Sequence, residues 1–195
     1  MAQINKKERL VCGIGINDAD YFTQTRIEGK QTKCPFYETW SSMLKRCYSK
    51  KSLVYKPTYK DCTVCEEWLI FSAFKAWMEK QDWKGKSLDK DIMVQGNKIY
   101  SPENCIFVTA DINKLFVKND ARRGLYKLGV SFHKRDKVFS ANCSVNSKST
   151  HIGYYSTEDE AYEAYKLFKT NLIREIANEQ TDERLKNAML NYVVE

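Results

Sequence analysis

The sequence predicts an α+β fold: a ββα unit braced by helices, then a three-stranded antiparallel sheet packed on one helix. Three observations predict it. Residues 88–113 begin with alternating apolar and acidic side chains, turn at Gln95-Gly96-Asn97 and cross a polar loop at Ser101-Pro102-Glu103-Asn104. They then resume as a short apolar run before Thr109, which has the chemistry of a helix N-cap. From residue 128, three short alternating runs lead into Thr157-x-x-Glu160, a capping-box pattern. Between these regions, 119–124 is polar, charged and ends in Gly124, the composition of a linker. The organisation is therefore 1–118, a linker at 119–124, 125–178, and a tail at 179–195.

Each element follows from its residues. Leu10 to Gly15 is a strand candidate, and Gly29 marks a turn. Tyr37, Trp40, Leu44 and Cys47 fall at helical spacing. A lysine-rich stretch from Lys50 to Lys60, broken by Pro57, reads as loop. Residues 68–78 read as helix, with Phe71, Phe74, Trp77 and Met78 on one face that packs into a core and braces the ββα unit. In the second region strands are expected over 128–133, 138–145 and 150–154, with turns at Lys134-Arg135-Asp136-Lys137 and Asn146-Ser147-Lys148. Ala161, Ala164, Tyr165, Phe168 and Leu172 then form the apolar stripe of an amphipathic helix. Leu185, Met189 and Leu190 suit a short last helix docking on one of the two modules.

The chain has 195 residues, 43% hydrophobic and 13% aromatic, which is ample core material and excludes wholesale disorder. No apolar run approaches the roughly 18 residues of a membrane span. The N-terminal residues are charged without a long apolar segment, so no secretory signal is expected. Net charge is +7 and unevenly spread. Residues 1–87 carry 16 Lys and Arg against 10 Asp and Glu, 121–153 carry 7 against 1, and 154–195 carry 5 against 9. Two basic blocks suit a polyanionic partner, because phosphates dominate nucleic-acid affinity; the plainer reading is ordinary surface charge. Seven cysteines without a secretory signal imply a reducing cytoplasm and free thiols. Cys62 and Cys65 are the close pair; with Cys47 and Cys105 they have the chemistry of a four-thiolate structural Zn²⁺ site. The competing reading makes them small buried apolar side chains.

On the expected ββα unit, Asp89 lies on the first strand and Asn113 on the helix, converging on one gap. An acidic and an amide oxygen together suit a hard divalent cation, Mg²⁺ or Mn²⁺, the usual partner of phosphodiester chemistry. The same residues resemble the ββα-metal finger of HNH endonucleases of the phage homing type. Leu88-Asp89-Lys90, Gly96-Asn97, Ser101-Pro102-Glu103-Asn104-Cys105, Val108-Thr109 and Asn113 carry that resemblance. Upstream, Tyr37, Trp40, Met43, Arg46-Cys47-Tyr48, Val64-Cys65-Glu66-Glu67-Trp68, Phe71, Phe74 and Trp77 extend it to roughly 34–115. It implies metal ligation by Asp89 and Asn113, and a loop held by Asn104 through hydrogen bonds to backbone. The histidine that activates water in the family is here Lys90; a lysine, with an ordinary pKa near about 10.4, is a poor base at neutral pH. Asp91, or a metal-bound hydroxide with Lys90 as an electrostatic clamp, takes its place. The candidate catalytic set is Asp89, Lys90, Asp91, Asn104 and Asn113.

The second region resembles the AP2 DNA-binding domain. The matching residues are Gly129-Val130, Lys134-Arg135 with Lys137, Phe139, Ala141, Lys148, Ile152-Gly153-Tyr154-Tyr155, Glu160-Ala161 and Ala164-Tyr165. The resemblance implies a sheet docked in the major groove of double-stranded DNA. Alternation nominates His133, Arg135, Asn142, Ser144 and His151 on the face away from the helix, with Lys134, Lys137 and Lys148 for phosphates. The plain alternative for this set is a solvated hairpin and two surface histidines.

The resulting expectation is a metal-dependent DNA endonuclease that nicks, targeted by an AP2-like domain, with no membrane attachment. The alternative motivated by Lys90 is a catalytically degenerate scaffold acting as a DNA-binding regulator or as a factor that binds a host protein. The resemblance also implies a phage-encoded protein in the bacterial cytoplasm.

Overall fold

Cys12 (φ 54°) and Gly13 (φ 79°) lie in the left-handed region, and Val11 bridges Gly15. The strand expected from Leu10 to Gly15 is therefore a tight turn. Gly15 has no room for a side chain: a Cβ there would stand 2.3 Å from Leu44 Cδ1. The computed structural model describes residues 10–27, 29–117, 125–145 and 148–194. The fold is mixed α+β and divides into two units, 1–109 and 110–195. The expected linker at 119–124 and the turn residues Asn146 and Ser147 lie outside the described residues.

In the first unit, β1 (Gln24–Ile27) and β2 (Lys30–Lys33) pair antiparallel around Gly29, which has a φ of 78°. The turn was legible; the strands lack apolar alternation. Helix α1 (Pro35–Tyr48) opens on a proline, whose missing N–H breaks no helical bond there. It buries Tyr37, Trp40, Met43, Leu44 and Cys47. The loop expected over 50–60 contains α2 (Lys50–Tyr55), capped by Ser49, and a 3₁₀ turn at Pro57–Tyr59. Neither buries a side chain, so neither leaves an apolar period in the sequence. Strand β3 (Thr63–Val64) follows.

The helix expected over 68–78 is split. A 3₁₀ turn, Glu66–Leu69, is separated from α3 (Phe71–Met78) by the extended residue Ile70. Ile16 causes the break: its N–H donates to Leu69 O at 2.8 Å, and its carbonyl accepts from Phe71 N at 3.0 Å. Trp40 Nε1 donates to Trp68 O at 2.7 Å, giving the buried indole its partner. Tyr37, Trp40, Trp68, Phe71 and Phe74 fill the core between α1 and α3. Each such aromatic removes about 150–250 Å² from water, at most roughly 4–6 kcal/mol of transfer free energy.

That core supports β4 (Ser87–Asp89), β5 (Ile99–Tyr100) and β6 (Ile106–Val108). β4 pairs antiparallel with β6, placing Leu88 opposite Phe107 and Asp89 opposite Ile106, while β5 pairs parallel with β3. Leu88 enters the core, so strand alternation turns Asp89 away from it. Helix α4 (Ala110–Phe116) follows β6 directly but belongs to the second unit, where Phe116 meets Tyr192 edge-on at 4.7 Å.

The second unit otherwise contains β7 (Val130–His133), β8 (Val138–Val145), β9 (Lys148–Tyr155), α5 (Glu158–Asn178) and α6 (Glu183–Leu190). The strands form one antiparallel sheet in the order β7-β8-β9. The Thr157–Glu160 capping box is present, with both bonds at 3.2 Å. Along α5 the buried seam is Ala161, Tyr165, Lys169, Ile173 and Ala177, with Phe168 and Leu172 half-buried beside it. Helix α6 packs on α5 through Leu185 and Met189. No helix among the described residues is long and apolar enough to cross a membrane.

Gly129 has a φ of 78°, and a Cβ there would stand 2.2 Å from the Tyr165 ring. Gly129→Ala is expected to cost about 2–4 kcal/mol through left-handed backbone and overpacking combined. Gly85→Ala, at φ 73° but with nothing within 4 Å, should cost only the backbone share, about 1–2 kcal/mol. Thermal denaturation of the two variants measures the difference.

Candidate functional site

Asp89 ends β4, and its carboxylate shapes the chain that follows. Oδ1 accepts hydrogen bonds from Asp91 N and Ile92 N, both at 2.8 Å. Oδ2 accepts none from the described residues, and it is not sealed from solvent. Burial pushes the Asp89 carboxyl above its ordinary range, against the pull of the two amides; the charge of Asp91 raises it further and Lys90 lowers it. A carboxylate whose charged form is disfavoured, yet keeps an open oxygen, fits a cation ligand, because a bound cation reverses that penalty.

Lys90 is 4% exposed, an unusual place for an ammonium. Its Nζ donates to Asp91 Oδ1 at 2.5 Å and to Asn97 O at 2.7 Å, and lies 5.9 Å from the centre of the Tyr100 ring. Asn97 returns the contact, its Nδ2 donating to Lys90 O at 2.8 Å and to Ile99 O at 2.7 Å. Its Oδ1 accepts from Ile99 N at 3.0 Å and Asn104 Nδ2 at 3.5 Å. The loop between β4 and β5 is thus closed by a reciprocal Lys90–Asn97 clamp. The loop-holding bonds to backbone expected of Asn104 are made by Asn97; Asn104 reaches Asn97's side chain, and its own N–H donates to Ser101 Oγ at 3.4 Å. Asp91 is exposed, with one oxygen held by Lys90.

Arg46 is a site residue that sequence reasoning quoted without assigning a role. Burial alone would lower its pKa; Tyr100, Tyr59 and Asp89 outweigh burial and raise it. Its guanidinium lies 5.7 Å from the Tyr59 ring centre. A cation on α1 thus lies within electrostatic reach of Asp89, outside the apolar face by which the sequence marked that helix. Asn113 is the fourth residue of α4, in the second unit.

The four cysteines named for zinc are free thiols. Burial pushes the Cys47 thiol up to about 12 and raises Cys65 and Cys105 as well. Among the described residues no three His, Cys, Asp or Glu side chains gather as an ion-binding group.

In the second unit the nominated residues share one sheet and its hairpin turn. His133, Lys134, Arg135, Lys137, Ser144, Lys148 and His151 are exposed, and Asn142 is half-buried. Arg135 pairs with the adjacent Asp136 at 2.9 Å. On the sheet face opposite the α5 core, the polar groups are linked. Ser131 Oγ meets Ser140 Oγ at 2.9 Å, Asn142 Nδ2 donates to Ser140 Oγ at 3.1 Å, and His151 Nδ1 lies 3.2 Å from Asn142 Oδ1. Tyr154, 59% exposed, packs against both histidines, with ring centres 4.5 Å from His151 and 5.2 Å from His133. Tyr154 was missed because alternation sets residues three apart on opposite faces; the bulge at Ala141/Asn142 brings 151 and 154 to the same one.

Lys90→Met should cost about 1–3 kcal/mol, because it strands the Asn97 carbonyl and frees the loop; urea unfolding measures it. A second expectation concerns pH. The folded-state pKa of Asp89 is raised, so the stability tied to its protonated form is full below the unfolded value and is lost as pH rises through the folded value. Asp89→Asn keeps an oxygen for both amides and does not titrate. Its stability relative to the parent should therefore rise as pH climbs from the ordinary carboxylate range through the raised folded-state value.

No protein-family model, curated protein or solved structure matches the chain.

Proposed function

We propose that the chain is a DNA endonuclease of the HNH type. In this reading it binds double-stranded DNA through the outward face of its β7-β8-β9 sheet, as an AP2-like unit, and nicks one strand beside Asp89. The observation that carries the reading is the half-buried Asp89 carboxylate, pinned through one oxygen and open through the other. The succession of β4, β6 and α4 supports it, as does the resemblance of residues 88–113 to the ββα-metal finger.

A bound Mg²⁺ or Mn²⁺ would supply positive charge for the scissile phosphate and the leaving oxygen. Asp89 would offer Oδ2 to that ion. Asp91 takes the proton of the attacking water through the oxygen that Lys90 does not hold. Lys90 acts on substrate only through others: it positions Asp91 and closes the loop. On the sheet, Lys134, Lys137 and Lys148 meet phosphates, while His133, Asn142, His151 and Tyr154 face base edges.

Incubation of supercoiled plasmid with Mg²⁺ or Mn²⁺ tests the reading. Nicked circles are expected from the parent and none from Asp89→Ala. Asp91→Asn should lower the rate about 10²–10⁴-fold. Lys148→Ala should weaken binding and reduce its salt slope by about 1. The engagement of Lys90 by Asp91 and Asn97 favours a second reading, a DNA-binding regulator built on a degenerate nuclease scaffold. Salt-dependent DNA binding without nicking by the parent under either metal would establish that reading over the first.

A further inference from the structure

The buried seam of α5 contains one residue that a core seam does not select. Ala161, Tyr165, Ile173 and Ala177 suit it; Lys169, at the middle position, is only 9% exposed. Among the described residues its Nζ has no hydrogen-bond or ion-pair partner. No side-chain nitrogen sealed from solvent lacks a partner among the described residues, so Nζ, though largely withdrawn from water, keeps a narrow contact with the cleft. Lys169 lines a cleft of about 210 Å³ within the second unit. Phe116, Leu128, Tyr165 and Tyr192 wall it, and Asn142 and Ser144 form its polar edge. The other lining cation, Lys114, pairs with Asp111 at 3.2 Å, and among the described residues no carboxylate lines the cleft. Burial lowers the Lys169 pKa, with partial opposition from Cys143.

A buried ammonium without a partner is costly, whereas leucine or methionine would fill the seam without that cost. A ligand carboxylate removes the penalty. We propose that this cleft binds a small monoanionic carboxylate, its charge paired with Lys169 and its apolar body against Leu128, Tyr165 and Tyr192. The charge count sets the class: one buried cation balances one anion. Phosphate as a dianion would leave a negative charge uncompensated among aromatic walls. The volume lies below the roughly 300–1,000 Å³ of drug-sized pockets, so the ligand is small.

Titration of the ¹⁵N-labelled full chain with sodium benzoate, followed by NMR, tests this. Saturable shifts are expected at the amides of Asn142, Cys143 and Lys169, together with a rise in thermal midpoint. Benzamide, the neutral analogue, should bind at least about tenfold more weakly, and inorganic phosphate should give no saturable shift. Lys169→Met should fold with an unchanged or higher midpoint and lose at least about tenfold in benzoate affinity. Lys169→Arg should keep binding, so the charge is tested even if the methionine variant does not fold. Equal benzoate binding by Lys169→Met, phosphate binding as tight as benzoate, or no saturation by the parent up to about 10 mM would overturn the proposal.

Discussion

The reciprocal bond between Lys90 and Asn97 is the constraint on which the rest of the first unit's site depends. An ammonium at 4% exposure persists only where its donors are satisfied, and here a backbone carbonyl and the Asp91 carboxylate satisfy two of them. The return bond from Asn97 to the Lys90 carbonyl closes the loop between β4 and β5. Asp89, one residue before Lys90, is thereby held at both ends: by β4 pairing on one side and by the clamped loop on the other. Two backbone amides hold Oδ1 of its carboxylate, and burial raises its pKa. Stability and chemistry draw on the same few residues.

Under the proposed function, Lys90 stands where the resemblance to HNH endonucleases implies a water-activating histidine, and the observed contacts give the lysine a different task. The lysine stem reaches the Asn97 carbonyl, and its head group donates in more than one direction. Lys90 fastens the loop through Asp91 and Asn97, and on the proposed reading it is not the proton acceptor. Acid–base work, if the site cleaves, then falls to Asp91, whose exposed carboxylate lies beside the fastened loop.

Much of this was legible in the sequence, for identifiable reasons. Helix α1, the capping box of α5 and the three-strand sheet each left a periodic or capping signature, and each formed close to its expected bounds. Asp89 was legible as an acidic residue on a short strand. What escaped depends on contacts between distant residues. Ile16 splits the helix expected over 68–78, and nothing near 70 announces it. Ser49 caps a helix with no buried face, so no apolar period marks it. A bulge, invisible to alternation, brings Tyr154 beside His151. Lys169 reads as a polar interruption of an amphipathic helix until the seam is seen to run straight through it.

The central claim is that Asp89 is the ion ligand of the first unit. Titration with Mn²⁺, followed by paramagnetic broadening of backbone amide resonances, tests it most directly. The Asp91 and Ile92 amides donate to Asp89 Oδ1 at 2.8 Å, so they should broaden at the lowest Mn²⁺ concentrations and stay sharp in Asp89→Ala. Broadening that spares those two amides, or that persists in the alanine variant, would contradict the account.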